Sequence, residues 1–359
     1  MRRARNKVKF MHKTNNKIES LESIRSTSSK LLMREARKRG ISVEYLNSYR
    51  EGPVFLELWY RNHEEFIFGQ DSSVSSHGSY LIQRDKALTK IFLKRAGISV
   101  ARGRVFKKKD SKEILKYCKE VGFPVVLKPW GGSHGRSVII GIKNAKDLSL
   151  SANSIFQKEE SIIVEKMFKG EEYRIIATRD KFLAAVRRIP ANVEGDGVNT
   201  IKKLILMKNL DPRRGDCFGD SLIKIKVGEK IISNLKNQKL RLNSIPAKGE
   251  RVLLLQNSNI STGGDSIDVT DKVHPDIKKI AINAVRAIQG LGYGGVDFMT
   301  SRDISKKPSK NSYIVVEINS SPGFDIHHFP YEGKSRDVAR GIIDVLFPET
   351  MAVYANRQS

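Results

Sequence analysis

Cysteine is nearly missing from this chain: Cys118 and Cys217 are its two, among 359 residues. Two thiols form no disulfide framework, and without a Cys-x-x-Cys pair they form no thiolate metal site, so both are expected as free thiols. Long apolar runs are also missing. No stretch is long enough to cross a bilayer, and the basic start Met1-Arg-Arg-Ala-Arg-Asn-Lys7 is not followed by the apolar core of a signal peptide; the cytoplasm is the expected compartment. Acids are in deficit, 39 Asp and Glu against 65 Lys and Arg, which leaves a formal charge of +26. Such an excess draws a protein towards phosphates, anionic membranes or acidic substrates. It is spread along the chain, densest at Arg2, Arg3, Arg5, Lys7, Lys9, Lys13 and Lys17, and none of the usual nucleic-acid-binding motifs accompanies it. It therefore reads as a solvated surface and a basic tail, with neither nucleic acid nor membrane as partner. No Gly-x-x-x-x-Gly-Lys-Ser/Thr phosphate loop occurs, and no Cys/His set of zinc spacing accompanies His134, His327 and His328.

What is there suits a globular protein of two or three domains: 39% hydrophobic and 29% charged residues over a length that buries a large core. After the basic tail, residues 24–39 have helical character and stop at Gly40. Residues 41–45, 54–60 and 64–68 read as strands, making a small α/β unit. A single helix is expected over 79–96, stopping at Gly97, and another over 111–121, stopping at Gly122. Strands at 124–129 and 138–142 flank Trp130-Gly-Gly-Ser-His-Gly-Arg-Ser137 as a hairpin. Further strands are expected at 161–165, 171–177 and 182–189, the last two antiparallel neighbours. Short helices at 200–209 and 231–239, a strand at 252–255, a polar stretch at 257–270 and a helix over 277–289 lead to the last strand.

That strand carries the chemistry. In Tyr313-Ile-Val-Val-Glu-Ile-Asn319, Glu317 and Asn319 are two apart and share a face, on an apolar strand where an acid and an amide need partners. A hard cation such as Mg²⁺ takes oxygen ligands and would satisfy both, with Asp297 of Tyr293-Gly-Gly-Val-Asp297 as a third candidate. A glycine-rich hairpin can fold over phosphate oxygens, because glycines let backbone N–H groups approach an anion. Lys86 and Lys128 are candidate phosphate contacts, and Glu165 and Glu172 could hold a ribose or an adenine edge. Each has a plainer alternative: a strand-end lysine, a turn, a surface carboxylate.

Taken in order, these stretches resemble the ATP-grasp family of carboxylate–amine ligases, most of all the ATP-grasp domain of cyanophycin synthetases, with similar stretches in bifunctional glutathione synthetases. The resemblance covers roughly residues 79–348. It is carried by Asp85-Lys-Ala-Leu-Thr-Lys90, Phe123-Pro-Val-Val-Leu-Lys-Pro129, His134-Gly-Arg-Ser-Val138, Ala185-Val-Arg-Arg-Ile-Pro-Ala191, Gly195-Asp-Gly197, Asp211-Pro-Arg-Arg-Gly215, Asn259-Ile-Ser-Thr-Gly-Gly264, Ile267-Asp-Val-Thr-Asp271, Pro322-Gly-Phe324 and Glu332-Gly-Lys334. Two departures stand out: the region ahead of residue 79 is shorter than the leading domain of a cyanophycin synthetase, and nothing after Phe347 matches the Mur-ligase-like module that adds arginine there. Cyanophycin is therefore not the expected product.

The resemblance implies an α/β (α+β) ATP-grasp fold: a basic tail and N-terminal α/β subdomain over 1–84, a small central lobe over 85–166, a larger C-terminal lobe over 167–348 and a tail over 349–359. It implies ATP with Mg²⁺ or Mn²⁺, an acylphosphate intermediate, and an amide or peptide bond between an amino-acid or peptide carboxylate and an amine acceptor. By position in the family pattern, Lys86 and Lys128 contact phosphates and the hairpin of Gly131, Gly132, Ser133, His134 and Gly135 closes over them. Glu165, Lys166 and Glu172 address the nucleoside, and Asp297, Glu317 and Asn319 hold the metal. Arg187 or Arg188 steadies the transferring phosphoryl group; on a strand the two point to opposite faces. Ser261, Thr262, Gly263 and Gly264 help form the substrate pocket. The alternative reading is a phosphate- or polyanion-binding protein on the same fold without ligase activity, and a homo-oligomer is compatible with either.

Overall fold

The computed structural model describes residues 24–46, 54–130, 138–216 and 219–351. Its first helix, α1 (Thr27–Lys38), starts where the Ser26 side chain accepts a hydrogen bond from the Ser29 N–H, and it ends two residues before Gly40. The strands β1 (Ser42–Leu46), β2 (Phe55–Tyr60) and β3 (His63–Phe68) form an antiparallel meander with the short β4 (Asp71–Ser72). Alternation turns Leu56, Leu58 and Ile67 to one face, where they are fully buried in one core with Leu32 and Ala36 of α1.

The helix expected as one piece over 79–96 is two, α2 (His77–Arg84) and α3 (Lys86–Arg95). At Asp85 the backbone leaves the helical region (φ −91°, ψ 100°), and the Asp85 carboxylate accepts from the N–H groups of Ala87 and Leu88, 2.9 Å each. A short acid satisfies the open N–H groups of a helix start and has no such use inside a helix. Lys86 thereby becomes the first residue of α3.

A four-stranded antiparallel sheet follows, built from β5 (Gly103–Lys107), β6 (Val125–Pro129), β7 (Ile139–Ile142) and β8 (Ser161–Lys166) in the order β5-β8-β6-β7. Helices α4 (Ser111–Val121) and α5 (Ala145–Phe156) cover one face and share a core with Phe106, Leu127 and Val164. Strands β6 and β7 pair as the expected hairpin. Helix α5 has no counterpart among the expected elements: its serines and asparagine are weak helix formers, and Leu148, Ala152, Ile155 and Phe156 are its apolar contacts with that core.

The largest sheet is antiparallel, in the order β15-β10-β9-β16-β17. It comprises β9 (Glu171–Thr178), β10 (Phe182–Ile189) and, after an inserted unit, three later strands. The insertion holds β11 (Asn192–Glu194), α6 (Ile201–Asn209), the short parallel pair β12 (Arg214–Gly215) and β13 (Leu222–Ile223), then α7 (Glu229–Asn237) and β14 (Arg251–Leu253). Next come β15 (Asp265–Asp268), inside the polar stretch 257–270, then α8 (Pro275–Ala287), β16 (Tyr293–Thr300) and β17 (Tyr313–Asn319). One face of the sheet, with Tyr173, Ile175, Val296, Phe298 and Val315, packs in one core with residues of α8 and with Leu93 of α3. Thus α3, expected in the central lobe, rides on the large sheet. The other face gives Ile176, Ala184 and Tyr293 to the core beneath the meander, closed by α9 (Asp325–His328) and α10 (Val338–Leu346). Among the described residues no helix is long and apolar enough to cross a membrane.

Candidate active site

The rest of that second face is polar. Alternation on β9 sends Glu172 and Arg174 to the side of Ile176, and across the sheet Arg188 stands opposite Glu172, Asp297 opposite Arg174, Glu317 opposite Asp297, and Asn319 opposite Gly295. A bulge sets this up. Register slips between Asp297 and Phe298, so that Val316 is an extra residue in β17. Val315 and Ile318 both lie in the hydrophobic core, although they are three apart. Without the bulge Glu317 would share the inward face of Val315; with it, Glu317 and Asn319 turn out to the polar side. Gly295 contributes by lacking a side chain, since a Cβ there would sit 2.9 Å from Arg174 Nη1 and 2.8 Å from Pro322 Cβ.

Asp297 is buried, with Oδ1 2.5 Å from Arg174 Nε and Oδ2 3.0 Å from Arg188 Nη2. Burial opposes its ionisation, but the two guanidinium groups outweigh it and hold the carboxyl below the usual range. Glu317 goes the other way: burial and the neighbouring Asp297 charge push it up, and it is hydrogen-bonded to Asp297. Asp297 Oδ1 and Asn319 Nδ2 are buried without an aligned hydrogen-bond partner. Two carboxyls opposed across β16 and β17, one with an oxygen lacking an aligned hydrogen-bond partner, and the amide oxygen of Asn319 on the same face make an oxygen set of the kind a hard divalent cation takes.

The smaller sheet and α3 supply the cations. Lys128 on β6 and Glu165 on β8 point away from that sheet's core, and both are buried. Glu165 Oε2 lies 2.8 Å from Lys128 Nζ, and Oε1 is in close contact with Lys90 Nζ from α3. A Cβ at Gly103, the cross-strand neighbour, would come within 2.7 Å of Glu165 Cγ, so glycine there makes room for the carboxylate. Burial works against ionised Glu165, yet Lys128 and Lys90 more than offset it and lower its pKa. Burial pushes Lys90 down to about 8 against the pull of Glu165. It lowers Lys86 too, with Glu317 as the opposing charge, and Lys128 also acts on Glu317. The charges of Lys86 on α3 and Lys128 on the smaller sheet thus both act on Glu317.

Several expected residues stand elsewhere than foreseen. Both oxygens of Glu165 are taken by lysines, and Glu172 is in contact with Arg188. Lys166 Nζ donates to the carbonyls of Gly122 and Phe123 at 3.0 and 3.1 Å, which turns its ammonium away from the carboxylates. Arg187 lies on the opposite face, 2.7 Å from the exposed Glu171, so of the two arginines it is Arg188 that joins Asp297. Ser261 and Thr262 sit in a short 3-10 turn whose Asn259 side chain accepts from the Ser261 N–H and hydroxyl, followed by the buried Gly263 and Gly264; the strand they lead into pairs Ser266 with Arg188. Gly131, Gly132, Ser133, His134, Gly135 and Cys217 lie outside the described residues, while Cys118 is a buried free thiol. His327 and His328 are buried: His327 Nε2 donates to the Arg174 carbonyl at 3.3 Å, and His328 Nε2 accepts from the Ala339 N–H at 3.1 Å.

Two site residues escaped the sequence reading. Lys90 follows Lys86 by four, one helical turn along the same face, and that spacing was a usable signal. Arg174 alternates with Glu172 on β9, but its approach to Asp297 depends on the pairing of β9 with β16.

A family model described as the phosphoribosylglycinamide synthetase ATP-grasp (A) domain matches residues 84–200. The chain is 37% identical over 330 residues to the glutathione biosynthesis bifunctional protein GshAB of Mannheimia succiniciproducens, covering 90% of this chain and 42% of that protein. It is 36% identical over 324 residues to the cyanophycin synthetase of Crocosphaera subtropica, covering 89% and 36%. A solved structure of a bifunctional glutathione synthetase from Pasteurella multocida matches with a TM-score of 0.69 at 35% identity, over 92% of this chain and 44% of that one. The chain spans about two fifths of the length of the curated relatives it matches.

Proposed function

The chain belongs to the ATP-grasp family, and from that premise we propose that it is a ligase joining the carboxylate of an amino acid or peptide to an amine with the use of ATP and Mg²⁺ or Mn²⁺. The observation that carries this reading is the pair Asp297 and Glu317, two carboxyls opposed across β16 and β17, with the charges of Lys86 and Lys128 acting on Glu317. Asp297, Glu317 and Asn319 would hold the divalent ion, which supplies neutralisation of phosphate charge when bound.

The chain's own groups would do the rest. Lys86 and Lys128 bind phosphate oxygens, with Glu165 and Lys90 fixing Lys128 from behind. Arg188 faces the oxygens of the transferring phosphoryl group, a role in which a preorganised cation in a dry site is effective. The bond from the γ-phosphorus to the β-bridging oxygen breaks as a bond from the substrate carboxylate forms, giving an acylphosphate and ADP. The amine nitrogen, arriving deprotonated, then attacks the acyl carbon, phosphate leaves with the C–O electron pair, and the proton that nitrogen gives up goes to the departing phosphate. The glycine hairpin 131–135 would cover the phosphates, the backbone around Lys166 and the carboxylate of Glu172 the nucleoside, and 261–264 the acyl substrate. We assign the lobes to residues 85–166 and 167–348, with α3 packed across onto the large sheet, and the protein to the cytoplasm.

The test is release of ADP and phosphate in the presence of Mg²⁺, screened over paired amino acids and peptides, with amide product identified by mass. Glu317→Gln is expected to lose ADP release at least a hundredfold, on the order of the loss of one transition-state contact, while its unfolding midpoint stays close to that of the parent. ADP release at the parent rate in that variant would refute the assignment. Salt-sensitive polyanion binding with no ADP release for any pair would favour the binding-protein reading.

A further inference from the structure

The meander β1–β3 has an outward face of unusual character for so basic a chain. Opposite Leu56, Leu58 and Ile67, alternation turns out Trp59, Phe66 and Phe68, which are 38%, 40% and 49% exposed. The Phe55 ring joins them, its centroid 6.0 Å from that of Phe66 and 6.1 Å from that of Phe68. Glu44, Glu57 and Glu64 stand among these rings: Glu44 pairs across the strands with Glu57, Glu57 with Phe66, and Glu64 with Trp59. None of the outward positions on β1, β2 and β3 is Lys or Arg, although the chain has 65. The acids crowd one another. A hydrogen bond to Glu64, followed by burial and the charges of Glu64 and Glu44, raises the pKa of Glu57. Like charges held this close, in an exposed apolar setting, are relieved by a cationic partner with apolar side chains of its own.

We propose that this face is a docking surface for residues 2–17 of the same chain. That segment has the matching chemistry. It carries Arg2, Arg3, Arg5, Lys7, Lys9, Lys13 and Lys17, with Val8, Phe10 and Met11 between them and no acid before Glu19. Its cations suit both the carboxylates and the faces of exposed aromatic rings. Reach is no obstacle: Ile24 is buried in the core under this same sheet, and the seven residue steps back to Lys17 extend up to roughly 23 Å, enough to round a sheet edge whose strands lie about 4.8 Å apart. Outside residues 2–17 the chain still carries more Lys and Arg than Asp and Glu, so an acidic face is the exception on it. The interaction is between exposed charges, so it weakens as salt rises.

Carbodiimide coupling of the full-length protein tests this, because the reagent joins a carboxylate to an amine with no spacer. A mixture of ordinary and ¹⁵N-labelled protein separates links within one molecule from links between two. The expected result is amide links from Glu44, Glu57 or Glu64 to Lys7, Lys9, Lys13 or Lys17, within one label, falling severalfold at 1 M NaCl. Phe66→Ser, which keeps all three carboxylates, is expected to reduce them at least threefold, with circular dichroism as the check on folding. Links only in mixed-label pairs would assign the face to a second copy and overturn the proposal. So would the absence of these links in the parent protein at low salt, whatever the variant does.

Discussion

At the scale of single residues, adjacent positions have opposite fates. Arg187 and Arg188 are neighbours in sequence, yet the pleat sends one to an exposed pair with Glu171 and the other to Asp297. Arg188→Ala is expected to lower the rate of ADP release by roughly two to three orders of magnitude. Arg187→Ala removes a surface ion pair worth about 0–1 kcal/mol and is expected to leave that rate within about threefold. Steady-state kinetics on the two variants checks the contrast, and equal losses would contradict it. Lys90 calls for a different signature, since it contacts Glu165 and not the carboxylate pair. Lys90→Met is expected to raise KM for ATP roughly tenfold, in line with loss of a charged hydrogen bond of about 1.5–3 kcal/mol, with a much smaller change in kcat and partial recovery in Lys90→Arg. A fall in kcat at unchanged KM would place Lys90 in the chemistry instead.

At the scale of elements, two irregularities decide the site. The break at Asp85 starts α3 at Lys86 and so aims that lysine. Asp85→Ala is expected to destabilise the protein by about 1 kcal/mol, the usual worth of a cap, and to raise KM for ATP because Lys86 is no longer held at a helix start. Urea unfolding and kinetics on one sample read both, and a stability loss with unchanged KM would detach the cap from the site. The bulge at Val316 is the other irregularity, and it was not legible: Tyr313-Ile-Val-Val is apolar at every position, so the stretch carries no phase for a slip to disturb. That Glu317 and Asn319 share a face could be read from spacing; that this face is not the one Val315 uses could not.

At the scale of the molecule, the large sheet is held between layers, and its buried polar groups link stability to pH. Ser28 of α1 accepts from the Phe324 and Asp325 N–H groups and donates to the Asp325 carboxylate at 2.8 Å, tying the N-terminal layer to the turn after β17. His327, in that same turn, is fully buried, and burial lowers its pKa to about 3 from the ordinary 6.5. The unfolded chain therefore takes up a proton that the folded one refuses. This contribution is present above pH 6.5 and is lost as pH falls towards about 3, at about 1.4 kcal/mol per pH unit for one group. The difference in unfolding free energy between the parent and His327→Leu, measured from pH 7 to pH 4, is expected to shrink with that slope; a difference independent of pH would mean that His327 is accessible to protons in the folded state.

By itself the sequence determined what depends on local spacing. Glycines marked the ends of α1 and α4, alternation marked β9, β10 and β17, and the residue types at 297, 317 and 319 pointed to a cation with oxygen ligands. It also narrowed the arginine choice to one of two adjacent positions. Tertiary structure decided what depends on which strands and helices meet. The pairing of β9 with β16 brings Arg174 to Asp297, the packing of α3 delivers Lys90 to Glu165, and the slip between β16 and β17 turns Glu317 out of the core. Local geometry sets the direction of a side chain relative to its own strand, but its partner and its charge state come from burial beside groups distant in sequence, which no single stretch of residues encodes.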